Sequence, residues 1–138
     1  MASLAAVTDP CYEVRPIGWI SSVLTDRSAA PRQPEENAPA ARVVFHPAAL
    51  PAAADLRVGD DVVLLTWLHQ SRRDVLSVHP RGDTSRPQQG VFSTRSPDRP
   101  NPIGLHTVTI TEVSADGITV RHLEAIDGTP VLDIKPVR

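Results

Sequence analysis

The sequence predicts a mainly β protein: a single sheet closed or nearly closed into a barrel, with one short helix and long loops. Three observations predict it. Apolar and β-branched runs of strand length recur along the chain with no helices interleaved. The 14 prolines among 138 residues interrupt the chain too often for a helical period to last beyond about three turns. Residues 107–123 alternate apolar with polar side chains on both sides of Ser114-Ala-Asp-Gly117, which is the pattern of a hairpin. The length is that of one domain, expected over 14–138 and preceded by a flexible N-terminal stretch over 1–13.

Strands are predicted, in chain order, over 14–24, 41–45, 61–68, 74–78, 90–94, 105–113, 118–123 and 131–134, each an apolar or β-branched run bounded by polar residues, Gly or Pro. The strongest is 61–68, with Val62-Val-Leu-Leu65 followed by Thr66-Trp-Leu68. The one helix is predicted over 47–56, an Ala-rich segment that opens on a proline suited to a first turn, with Pro51 near a start or a break. Two segments fit neither class. Residues 25–40 hold three prolines among mixed charges and read as a long surface loop. Arg95-Ser-Pro-Asp-Arg-Pro-Asn-Pro102 should be a stiff, non-helical ribbon, because each proline fixes its own φ and biases its predecessor toward extended backbone; it would project Arg95, Asp98, Arg99 and Asn101 in set directions.

Composition narrows the function classes. No apolar run approaches the roughly 20 residues of a membrane helix, and the first ten residues lack the pattern of a signal peptide, so the expected location is cytoplasmic. The single cysteine, Cys11, excludes an internal disulfide and a thiolate-rich metal site, which fits a reducing compartment. A formal charge of -2 argues against coating nucleic acid by bulk electrostatics, yet all but one of the 14 basic residues are Arg. Six of them (Arg72, Arg73, Arg81, Arg86, Arg95, Arg99) fall in one segment against three Asp (Asp74, Asp83, Asp98), so a local polyanion site competes there with an ordinary solvated, self-paired loop.

Most catalytic signatures are missing. The five His have no metal-ligand spacing, so no metal is predicted. There is no Gly-x-Ser-x-Gly turn, no Gly-x-Gly-x-x-Gly and no phosphate loop, so neither a hydrolytic triad nor a conventional dinucleotide fold is supported. His69-Gln70 ends the strongest predicted strand and Asp127-Gly-Thr-Pro130 reads as a turn into an edge strand; on these residues alone, ordinary structural roles and binding roles both stay open.

Taken whole, Gly90-Val-Phe-Ser-Thr-Arg-Ser-Pro-Asp-Arg-Pro-Asn-Pro-Ile-Gly-Leu105 resembles the signature of the TrmO family, also called TsaA-like or YaeB-like. Ala30-Pro-Arg-Gln-Pro34, Trp67-Leu-His-Gln70 and Asp127-Gly-Thr-Pro-Val-Leu-Asp-Ile-Lys-Pro136 resemble its other blocks, in the family's order. The resemblance implies a single-sheet β-barrel that binds S-adenosylmethionine without a Rossmann fold, usually as a homodimer. It further implies methylation of the exocyclic nitrogen of N6-threonylcarbamoyladenosine next to the tRNA anticodon. By position, cofactor contacts would fall on Pro31, Arg32, Gln33, His69, Gln70, Arg95, Leu105, Ile126, Asp127, Gly128 and Thr129. Arg99 and Asn101 would hold the threonylcarbamoyl group or a phosphate, with Arg72, Arg73, Arg81 and Arg86 on the anticodon stem.

Methyl transfer from a sulfonium is an in-line displacement, so positioning should dominate, with a carboxylate taking the proton of the acylated nitrogen; Asp127 and Asp133 are the candidates. Val137 stands where many relatives have an aromatic residue, and Glu124-Ala125 where they often have Asp and Leu. Two other readings stay open: a methyltransferase of a small molecule using the same pocket, and a non-catalytic S-adenosylmethionine-binding module.

Overall fold

In the longer strands buried residues, most of them apolar, alternate with more exposed ones, and this alternation closes the sheet around its own side chains. The computed structural model describes residues 9–25 and 39–138. Its strands are β1 (Gly18–Ser21), β2 (Ala41–Phe45), β3 (Asp61–Trp67), β4 (Ser77–Val78), β5 (Gln89–Gly90), β6 (Ile103–Val113), β7 (Gly117–Arg121) and β8 (Pro130–Pro136). Six of these form a closed antiparallel barrel in the order β1-β2-β7-β6-β3-β8, and β4 and β5 pair as a separate two-stranded ribbon. The core is aliphatic apart from Phe45: Ile20, Val43, Val62, Leu64, Val108, Ile110, Ile118, Val120 and Val131 point inward and are almost fully buried.

β6 makes closure possible because it serves two neighbours. Its first part pairs with β3, from Trp67↔Ile103 to Asp61↔Thr109, and its last part with β7, from Thr109↔Arg121 to Val113↔Ile118. A bulge between Ile110 and Glu112 bends it between the two. The β6–β7 hairpin turns through Ser114–Gly117 as the alternation predicts, and Ser114 N–H donates to Gly117 O (2.9 Å). Gly117 has to be small: a Cβ there would run into the Val43 carbonyl of β2. The barrel is sealed by β1 against β8, where only Gly18↔Val131 and Trp19↔Pro130 are in register.

Several predicted elements are shorter or different. The first strand is Gly18–Ser21 rather than 14–24, and residues 9–16 are exposed without regular structure. The run 74–78 forms a strand only at Ser77–Val78. In 90–94 only Gly90 belongs to a strand; Val91–Ser93 is a 3-10 turn, because Val91 folds inward to 2% exposure and its N–H donates to Leu76 O (3.0 Å). The predicted helix is a 3-10 helix at Pro47–Ala53, with Pro51 inside it removing a backbone donor. Most of the predicted loop 25–40, and residues 1–8, lie outside the described residues. Among the described residues no helix is long and apolar enough to cross a membrane.

Candidate functional site

Antiparallel pairing sends the ends of β1, β3 and β7 and the beginnings of β2, β6 and β8 to the same end of the barrel. Every described segment singled out as a cofactor block emerges there. Residues 69–70 follow β3, 126–129 lie between β7 and β8, and the 95–102 loop enters β6. Pro31, Arg32 and Gln33 belong to the connection whose flanks leave β1 and enter β2 at this end, but they lie outside the described residues.

One wall of this end is the turn after β3. Leu68 N–H donates to Pro102 O (2.8 Å) and Ser71 N–H to Leu68 O (2.9 Å), which leaves His69 and Gln70 exposed at the rim. The proline-rich loop is laced onto the residues that follow. Arg72 N–H donates to Asp98 Oδ1 (2.8 Å) and Arg99 N–H to Arg72 O (3.0 Å). Arg73 donates to Pro100 O (2.7 Å) and to Asn101 Oδ1 (2.9 Å), with its guanidinium over the Trp67 ring at 5.2 Å. Arg99 braces the loop from inside: Nη1 donates to Thr94 O (3.0 Å) and Ser96 O (3.1 Å), and Nη2 to Val91 O (2.8 Å).

The facing wall is the strap between β7 and β8. Gly128 N–H donates to Ile20 O (2.7 Å), Ser22 N–H donates to Asp127 Oδ1 (2.9 Å), and Gly128 takes φ 81°, which a glycine adopts without strain. Thr129 is buried with its hydroxyl on Ile126 O (2.7 Å), and Ile126 is buried too, so these two residues shape the strap while Asp127 and Gly128 are presented to solvent.

The arginines divide by use. Arg72 forms a two-pronged pair with Asp74 (3.0 and 2.9 Å), a hydrogen bond that holds the Asp74 carboxyl below its usual range. Arg81 and Arg86 lie on the excursion between β4 and β5, where His79 Nδ1 bonds Arg86 O (2.8 Å) and hydrogen bonds from Ser85 push the Asp83 carboxyl down. Arg95 extends into solvent with no ion pair to a described residue. Two predicted residues face elsewhere: Leu105 stands on the outer wall opposite Leu65, and Asp133 lies on the side of β8, its carboxylate 3.3 Å from the Lys135 ammonium.

Sequence reasoning passed over a buried polar cluster at this same end. Thr66, His106 and Glu124 are joined inside the barrel, Thr66 Oγ1 to His106 Nε2 at 2.8 Å and His106 Nδ1 to Glu124 Oε1 at 2.6 Å. The available signal was strand alternation, which places Thr66 and His106 in the inward register of Leu64 and Val108.

The family model for the tRNA-methyltransferase O N-terminal domain matches residues 19–138. A probable S-adenosyl-L-methionine-binding protein of Methanothermobacter thermautotrophicus is 41% identical over 130 residues, covering 94% of this chain and 93% of that protein. An S-adenosyl-L-methionine-binding protein of Archaeoglobus fulgidus is 38% identical over 122 residues, covering 88% and 86%. The crystal structure of TrmO from Pseudomonas aeruginosa superposes with a TM-score of 0.75 at 32% identity; the match covers 94% of this chain and 57% of that one, so this chain spans little more than half of the solved protein.

Proposed function

Because the chain belongs to the tRNA-methyltransferase O N-terminal domain family and folds as its β-barrel, we propose that it is an S-adenosylmethionine-dependent methyltransferase. Its acceptor is the exocyclic nitrogen of N6-threonylcarbamoyladenosine beside the tRNA anticodon. The observation that carries this reading is the convergence, on one end of the barrel, of segments as distant in sequence as Gln70 and Gly128. When bound, the cofactor supplies an electrophilic methyl group on a sulfonium. The residues present suit its parts: Arg95 offers a guanidinium to a carboxylate, Gln70 an amide to an adenine edge, and the Asp127-Gly128 turn backbone carbonyls to an ammonium.

Asp127 is better placed than Asp133 to take the acceptor's proton. It sits at the rim, and with Oδ1 held by Ser22 its Oδ2 has no partner among the described residues. Arg73 and Arg99 act by holding the 95–102 loop and Arg72 pairs with Asp74, so among the described arginines of this segment Arg86 and Arg95 are the ones assigned to RNA phosphate. The apolar outer face of β3 and β6, with Ile103 and Leu105 both 47% exposed, suits a symmetric homodimer. The compartment that fits is the cytoplasm, where tRNA is modified.

The arginines engaged within the loop also favour a second reading, a small-molecule acceptor. Incubating the purified protein with tRNA and methyl-labelled S-adenosylmethionine, then analysing the nucleosides by mass spectrometry, separates the two. Label on threonylcarbamoyladenosine is expected. Cofactor binding by calorimetry without label on any nucleoside would overturn the tRNA assignment, and absence of binding would overturn the methyltransferase reading. Arg95→Ala is expected to weaken that binding.

A further inference from the structure

The buried Thr66–His106–Glu124 chain has no part in the chemistry above, yet the fold makes room for it. Thr66 is fully buried, His106 is 4% exposed and the Glu124 side chain 14%. Gly104 lies directly against the pair: a Cβ there would meet Thr66 Oγ1 and, at 2.7 Å, His106 Nε2. The glycine thus leaves space for an imidazole in a mostly apolar interior. Glu124 Oε2 is buried without a hydrogen-bond partner among the described residues. Burying these groups carries a desolvation cost, and well-packed apolar residues in their place are often at least as stabilising.

The three residues come from the three segments that build the candidate site. Thr66 stands three positions before His69, at the bulge where β3 meets the start of β8; His106 stands in β6 four positions after Pro102, the end of the 95–102 loop; Glu124 stands two positions before Ile126. In the tautomer with the proton on Nδ1, His106 donates to Glu124 Oε1 and its Nε2 accepts from the Thr66 hydroxyl. Each bond fixes the direction of the next.

We propose that Thr66, His106 and Glu124 are positioning residues for the methyl-donor site, a relay that sets the 126–129 strap at a fixed distance from the 69–70 turn across β6. This rests on the cofactor reading above. The strap is tied at its other end to Ile20 and Ser22, so the relay is the tie that registers it against β3 and β6.

The test uses Thr66→Val, which keeps side-chain shape and removes the hydroxyl, and Thr66→Ser, which keeps the hydroxyl. Binding of S-adenosylmethionine is measured by calorimetry, and the His106 ring is followed by NMR. The relay predicts a loss of affinity of roughly tenfold or more in Thr66→Val, from displaced site segments, and recovery in Thr66→Ser. It also predicts a downfield Nδ1 proton on His106 that disappears in Glu124→Gln or shifts strongly. Equal affinity in wild-type and Thr66→Val protein would overturn the relay alone. No binding by the wild-type protein would overturn the cofactor reading and this inference with it, while the NMR signature would still report whether the hydrogen-bonded chain exists.

Discussion

Arg99 shows how one side chain can turn a sequence signal into a structural device. The prolines of 95–102 limit the backbone, but the loop's shape is set by a guanidinium that gathers the carbonyls of Val91, Thr94 and Ser96. A lysine carries the same charge without the planar fork. Arg99→Lys should therefore accelerate amide exchange across 91–101 while leaving the melting temperature of the barrel nearly unchanged; unaltered exchange there would refute the clamp. Sequence alone gave the arginine and the prolines but not the direction of the guanidinium, because an Arg in a polar loop has the same composition whether it reaches outward to a phosphate or inward to its own backbone. His106 was hidden for a related reason: its partners are 40 and 18 positions away, and no local spacing connects them.

The elements that could be read from sequence are those whose residues obey a period. Strands β2, β3, β6 and β7 alternate cleanly, and their predicted limits differ from the observed ones by two residues or fewer. The segment 90–94 misled because Val91-Phe92 has strand composition, while the side chains divide between burial for Val91 and 82% exposure for Phe92, and the backbone turns. The β6–β7 hairpin offers a pH test. Arg42 donates to Asp116 at 2.7 Å and Ser114 does so at 3.1 Å, and these bonds hold the Asp116 carboxyl below the usual aspartate range. Its contribution is then present above the unfolded value of about 4 and is lost as pH falls through the lower folded value. Carbon-detected NMR titration should find Asp116 among the last aspartates to protonate, and Asp116→Asn should remove that dependence from the turn's amide exchange. Gly117→Ala should destabilise the hairpin where it crosses β2, because the added methyl meets the Val43 carbonyl; an unchanged denaturation midpoint would refute that close approach.

At the scale of the molecule, closure makes one core out of strands distant in sequence. Leu64 lies at its centre with no exposed surface, and Leu64→Ala should cost about 2–5 kcal/mol in chemical denaturation. Trp19 on β1 and Trp67 on β3 report from the two strands that flank β8, so fluorescence and far-ultraviolet circular dichroism should give coincident transitions if the barrel unfolds as a unit. The fold class was legible because it follows from counting and alternation. The division into a six-stranded barrel and a two-stranded ribbon was not, since pairing partners are fixed by packing across the whole chain. The convergence of the site blocks was expected from the resemblance, and antiparallel order supplies its geometric basis.

The β1–β8 seam has a consequence for handling the protein. It has only two registered pairs, one of them including Pro130, which has no N–H to give, and beyond these it is tied by Ile17 N–H to Val131 O (2.8 Å), Ile20 N–H to Thr129 O (2.9 Å) and Gly128 N–H to Ile20 O (2.7 Å). If heat or mild denaturant unzips the cylinder, it should part there first, leaving two raw strand margins that another molecule can adopt. Exchange of β1 between neighbours, rather than gross unfolding, is then the first route to polymer. A disulfide stitched across that hem should suppress it.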